Sequence, residues 1–127
     1  MAVAASGVAF AAGSGPAVTV QIKSQTKTLL KPTNAHGEKG WITKDGTPKG
    51  KCPGASALGA LDQATHGRWA GRYFSSVGSV FVTSIDGVKP SGSDFWGVYV
   101  NGKLASTGAC GVKLKSGEKL LFKITKG

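Results

Sequence analysis

Acidic side chains are scarce in this chain: six Asp and Glu stand against 16 Lys and Arg, for a net charge of +10 over 127 residues. Arginine is scarcer still, since only Arg68 and Arg72 interrupt a basic complement that is otherwise lysine. Arginine offers the planar fork that reads phosphate and guanine bidentately, whereas lysine is a hydrated point charge. Its scarcity therefore argues against base readout and for general attraction to polyanions. The lysines are scattered from Lys23 to Lys126, and no RNA-recognition, zinc-finger or helix-turn-helix signature accompanies them, so no specific nucleic-acid partner is expected. Histidine is limited to His36 and His66, and neither HExxH, GxSxG nor CxxC spacing is present. The acids Glu38, Asp45, Asp62, Asp86, Asp94 and Glu118 include no obvious pair in sequence. No catalytic residue and no metal ligand set is assigned. No strongly apolar run reaches the length of about 18 residues that an ordinary membrane-spanning helix needs.

Glycine, with 20 residues, and a pair of cysteines dominate what is there. Glycine in these numbers marks turns and favours short strands over long helices. Cys52 and Cys110, each beside glycine or proline, can close most of the domain into one covalent loop. A disulfide of that kind points to an oxidising compartment. Residues 1–17 are small, weakly apolar and uncharged, like the tail of a secretory signal that lacks its cationic start. The expectation is a signal remnant or disordered N-terminus over 1–17, with cleavage after Ala9 or Ala11, followed by a single monomeric domain over 18–127, a length that suits one hydrophobic core.

Val18-Thr19-Val20-Gln21-Ile22-Lys23 alternates apolar and polar residues, and Thr28-Leu29-Leu30-Lys31 follows a polar turn, which predicts a β-hairpin. Thr33 to Lys51 is rich in glycine and lysine and reads as a long loop with a short strand around Trp41, one of the places to look for a ligand. Ser56 supplies an N-cap oxygen, and Ala57, Leu58, Ala60, Leu61 and Ala64 form a helical stripe. A helix over Ser56 to Thr65 follows, stopped by Gly67, with Gly59 permitting close approach to a sheet. Trp69, Tyr73 and Phe74 form an aromatic cluster after it. Gly78 to Ile85 reads as a strand with Val80 and Val82 on one face and Phe81 and Ile85 on the other, closing at Asp86-Gly87. Phe95 to Val100 is a further strand, turned by Asn101-Gly102, where both central positions want positive φ, into Lys103 to Ser106. Lys119 to Ile124 is the last strand.

Several features with a chemical look have simpler readings. His66 sits at the predicted helix end, where a cation favours the dipole. Asp86 and Asp94 flank turns. Gly46-Thr47-Pro48-Lys49-Gly50-Lys51-Cys52 looks like a phosphate loop, but its spacing is wrong and its lysine is not followed by Ser or Thr. Cys52 as a nucleophile has no nearby histidine in sequence. The large rings Trp41, Trp69, Tyr73, Trp96 and Tyr99, together with Asn101, are the candidate ligand contacts. Trp96 and Tyr99 must face opposite sides of their strand, and the ring turned away from the helix offers a platform for a planar or sugar-like molecule.

The order CPGASALGALDQAT, then Gly78 to Gly87, then Trp96-Gly97-Val98-Tyr99-Val100-Asn101-Gly102-Lys103, then Leu114-Lys115-Ser116-Gly117-Glu118-Lys119-Leu120 resembles the bacterial domain of unknown function related to the C-terminal domain of transcobalamin. The resemblance spans roughly Val18 to Ile124. It implies a β-grasp-like fold, secretion or surface display, and a bridge from the cysteine before the helix to Gly108-Ala109-Cys110. In the animal relatives such a domain covers one side of bound cobalamin while a separate helical barrel covers the other. This sequence includes no helical barrel, so cobalamin stands as what the resemblance implies and no cofactor is assigned.

The reading that results is an α+β, β-grasp-like domain of five or six mostly antiparallel strands packed on one short helix. It is expected to act as a secreted or cell-surface, non-enzymatic binding module for a small-molecule or glycan ligand. The second reading is a structural or adhesive envelope domain held on anionic cell-wall polymers by its lysines.

Overall fold

A period of two buries every second side chain of a strand on one face. The structure, a computed structural model, describes residues 15–127, and in it the first alternating stretch is β1 (Ala17–Lys23), with Val18, Val20 and Ile22 buried. The signal remnant expected over 1–17 lies outside the described residues up to residue 14, and Ala17 already belongs to β1. Ser24 shapes the following turn by donating its N–H to the Lys27 carbonyl at 2.9 Å and accepting the Thr26 and Lys27 amides on its hydroxyl. β2 (Thr28–His36) returns antiparallel and runs well past Lys31, where the sequence pattern faded. Pro32 interrupts the pattern, but β2 is the edge strand of its sheet, where a missing N–H is tolerated, and a register shift absorbs the irregularity.

β5 (Phe95–Val100), β6 (Lys103–Leu104) and β7 (Lys119–Thr125) complete a five-stranded sheet in the order β2-β1-β7-β5-β6. β1 and β7 pair in parallel and the other neighbours antiparallel, so the sheet is mixed. Asn101 and Gly102 take φ of 50° and 89°, as the predicted turn requires. A single helix, α1 (Ala57–Thr65), lies on the core, with Leu58 and Leu61 wholly buried in one cluster with Val20, Ile22 and Phe122.

A second sheet departs from the sequence reading of one sheet with five or six strands: among the described residues there are seven strands, and β3 (Trp69–Phe74) pairs only with β4 (Ser79–Ile85). Gly71 and Arg72 broke the alternation that would have marked β3. Yet a Cβ on Gly71 would lie 2.9 Å from the Phe81 carbonyl oxygen, so this glycine marks a tight strand contact and not a loop. The face assignment of β4 is also corrected. Ala70 faces Ser84 and Gly71 faces Val82, leaving Thr83 as an extra residue. This bulge flips the alternation and buries Ile85 on the side of Val80 while Phe81 stays exposed.

Two details of the helix differ from expectation. Ser56 makes no side-chain cap, because its hydroxyl donates to the Pro53 carbonyl at 2.7 Å. Gly59 meets the turn before its own helix and not a sheet, since a Cβ there would collide with the Gly54 carbonyl oxygen. The helix stops at His66 in the left-handed region, φ 55°, with the Gly67 amide donating to the Asp62 carbonyl at 2.9 Å, so the stop is made by the backbone.

Cys52 and Cys110 form the expected disulfide, with Cα atoms 4.9 Å apart and both residues buried. It joins the approach to α1 to the short 3-10 turn Ala109–Gly111. The amide of Ala57 donates to Val112 at 2.9 Å and that of Leu114 to Ala55 at 3.2 Å, fastening the same strap to the helix start. The long loop after β2 is tied down in the same manner. Trp41 bridges to Pro53, Ile42 is buried, Lys44 donates to the Gly67 and Trp69 carbonyls at 2.5 and 2.6 Å, and Asp45 accepts the Gly71 amide at 2.9 Å.

Candidate binding groove

β6 is only two residues long. After the tight turn, Leu104 pairs with Tyr99, the Ala105 amide donates to Val98 at 2.8 Å, and the chain then leaves the sheet. The first half of β5, Phe95 to Gly97, therefore has no strand beside it on that side. β4 is likewise paired on one edge only. Between these two strands lies a groove of about 280 Å³, walled by Val80, Val82, Trp96, Val98 and Ala105. Its rim is apolar and open to water: Phe81 is 52% exposed, Phe95 41% and Leu104 47%.

Among the described residues no ionisable side chain lines this groove; Ser106 and Thr107 supply its polar side chains. At one end Gly108 lies so close to Ser79 that a Cβ would collide with the Ser79 hydroxyl. That hydroxyl is the buried side-chain group that lacks a hydrogen-bond partner among the described residues. The chemistry available is apolar contact with a few neutral polar groups. Nothing in the lining can transfer a proton near neutral pH.

The ring residues singled out from the sequence do not converge. Trp96 lines the groove from within, buried, with its indole N–H donating to the Val88 carbonyl at 3.3 Å. Trp69 is buried beside α1 and donates to Asp62 Oδ1 at 2.6 Å, while the Lys44 ammonium stands 4.3 Å from its ring centre. Tyr73 packs partly buried against the core from β3. Trp41 is exposed on the long loop. Tyr99 sits on the opposite face of β5 from Trp96, its hydroxyl 3.0 Å from Thr125 Oγ1. Asn101 is occupied by the fold, its side-chain oxygen accepting the Lys119 amide at 2.9 Å. The rim residues Phe81, Phe95 and Leu104 were missed. Phe95 was legible, because it alternates with inward Trp96, but its neighbours across the groove come from other parts of the chain.

The expectation that the acids form no pair is overturned away from the groove. Glu38, at the start of the long loop, is hydrogen-bonded to Asp62 on α1. Burial first, and then the hydrogen bond and charge of Asp62, push the Glu38 carboxyl from 4.5 up to about 8. Asp62 also holds the Trp69 indole, so this pair braces helix, loop and β3.

A mixed sheet backed by one helix, closed by a disulfide and opened at one strand edge, defines a small α+β domain. The chain belongs to the family described as Domain of unknown function (DUF4430), which matches residues 54–126, the region that holds the helix, the second sheet and the groove. Haptocorrin, in a crystal structure in complex with Cbi, has the same fold with a TM-score of 0.66 and 16% identity over 97% of this chain and 27% of haptocorrin. The chain thus spans about a quarter of that protein's length. A protein from Ruminococcus gnavus, described as a candidate metal binding protein, superposes with a TM-score of 0.61 and 15% identity over 88% of this chain and 98% of its own. At such identities the likeness is one of fold. No curated protein matches the chain.

Proposed function

We propose that this chain is a non-enzymatic binding module that grips an apolar edge of its ligand in the groove between β4 and β5. The observation that carries this reading is the groove itself: apolar walls, three exposed apolar rim residues and no ionisable group. A monomeric soluble domain leaves large apolar side chains clustered around a concavity at a cost in solubility, which ligand burial would offset. At about 280 Å³ the groove is near the lower end of small-molecule sites, so it holds one edge or one substituent of a larger molecule. Haptocorrin is described in complex with Cbi, and the sequence resemblance pointed to cobalamin, which makes a corrinoid the first ligand to test. The sheet order β2-β1-β7-β5-β6, with its outer strands antiparallel and β1 and β7 parallel at its centre, supports the β-grasp description of a domain running over 18–127. The disulfide supports work outside the cytosol, after removal of the expected segment over 1–17.

The test is a thermal-unfolding scan of the oxidised protein against cobalamin and a set of small neutral glycans, at low and high salt. Ligand bound to the native state raises the midpoint in proportion to the logarithm of concentration over Kd. A salt-insensitive rise that Phe81→Ser together with Leu104→Ser removes is the expected result. A rise that survives both substitutions would place the ligand elsewhere.

A further inference from the structure

We propose that the open face of the five-stranded sheet is a docking surface for an anionic polysaccharide, adjoining the groove at Phe95 and Leu104 but extending away from it across β7, β1 and β2. The core strands bury Val18, Val20 and Ile22 from β1, Leu120, Phe122 and Ile124 from β7, and Trp96 and Val98 from β5. The intervening residues must point the other way, and the register arranges them in rows. Thr19 stands beside Asn34 and Lys119; Gln21 beside Leu121, which stands beside Tyr99, then Leu104; Lys23 beside Lys123; and Thr125 beside Phe95.

Two properties of this face select a partner. The first is charge: none of β1, β2, β5, β6 or β7 contains an acid, and of the five lysines they carry Lys23, Lys119 and Lys123 stand on this face. Two of the six acids of the chain border the sheet, Asp94 just before β5 and Glu118 just before β7, and all six are engaged by other groups. Glu38 is bonded to Asp62, Asp86 to Arg68, Asp94 to Gln25, and Asp45 and Glu118 accept the amides of Gly71 and Lys115. Lys23 and Lys123 are direct register partners, and like charges so placed repel unless an anion lies over them. None of Lys23, Lys119 and Lys123 forms an ion pair among the described residues. Lys119 and Lys123 are four residues apart on one strand, about 13 Å, which suits charges repeated along a chain better than a single small anion.

The second property is chemistry between the charges. Thr19, Gln21 and Asn34 are neutral hydrogen-bonding side chains suited to hydroxyl groups, while the Thr125 hydroxyl is engaged by Tyr99 and the Lys123 carbonyl. The Tyr99 ring lies partly exposed among Leu121 and Leu104 as a platform for a sugar face. Lysine without arginine attracts carboxylates and phosphates alike as point charges, so preference for a glycan over polyphosphate rests on the neutral side chains and the ring.

Binding of the full oxidised chain is measured against polygalacturonate, neutral dextran and polyphosphate. Polygalacturonate is expected to bind, dextran not to, and 1 M salt, where the Debye length is about 3 Å, to abolish the complex. Lys23→Gln with Lys123→Gln should weaken it about tenfold, two contacts of the size of exposed ion pairs, while the thermal midpoint of the free protein holds or rises as the repulsion between the two is removed. Lys49→Gln with Lys51→Gln, equal in charge but on the long loop, should change it less than about twofold. Tyr99→Leu should weaken polygalacturonate and not polyphosphate. Gln21→Glu, which adds an acid among the lysines and removes no ring, should weaken both whether or not Tyr99→Leu folds. Equal losses from the sheet and loop variants would show that net charge alone is sensed and overturn the docking face. Polyphosphate bound as tightly as polygalacturonate would overturn the glycan, and absence of binding would overturn both. None of these outcomes depends on a ligand in the groove.

Discussion

The indole N–H of Trp69 donates to the carboxylate of Asp62 at 2.6 Å, tying the first residue of β3 to the last turn of α1. Lys44 reaches over the same ring and donates to the carbonyls of Gly67 and of Trp69 itself, so helix end, strand start and long loop meet at one side chain. Trp69→Phe keeps a buried ring and removes the donor. The expected cost is about 1–3 kcal/mol, the range for stripping a partner from a charged acceptor. Urea unfolding with an unchanged m-value is the measurement.

Glu38 makes stability depend on pH. Its folded-state value near 8 lies above the ordinary 4.5, so the folded protein holds this proton more tightly than the unfolded chain. The contribution is complete below pH 4.5 and is lost as pH rises toward about 8. Thermal midpoints recorded across that window should fall for the native protein. Glu38→Gln, neutral throughout, should flatten the curve, and the difference between the two isolates this carboxyl.

Gly59→Ala sets two effects against each other. Alanine gains about 1 kcal/mol of helix propensity over glycine. Its methyl would collide with the Gly54 carbonyl oxygen, a backbone atom that cannot rotate away. Overpacking of this kind costs about 1–3 kcal/mol, and more against rigid atoms, so the variant should be less stable by denaturant midpoint despite its better helix former.

Removing the disulfide as Cys52→Ala with Cys110→Ala should cost about 2–4 kcal/mol, since the chain-entropy model sets about 4 kcal/mol for a loop of this length and native contacts recover part of it. The amide bonds from Ala57 and Leu114 still hold the strap to the helix. The domain is therefore expected to fold when reduced, with a lower denaturant midpoint.

What the residues announced locally, the structure has. Asn101-Gly102 and Asp86-Gly87 are turns with both residues at positive φ, Phe95–Val100 is a strand end to end, and the leucine-alanine stripe is a helix. These depend on neighbours a few positions apart, where dihedral preference and side-chain period act directly. Two cysteines admit one intramolecular pairing, so the bridge was legible too.

Contacts between distant residues were not legible. Gly71 reads as a loop residue until β4 is packed against it, and the Thr83 bulge exists only in the register of β3 with β4. Glu38 and Asp62 are unremarkable acids until the long loop folds onto α1. The groove belongs to no segment, being the gap left where β6 stops early and β4 has no outer partner. Alternation by itself determined that each strand has a buried and an open face. Which edges stay unpaired, which rings enter the core and which lysines stand side by side were decided by the tertiary pairing, because burial and register are set by residues the local pattern does not contain.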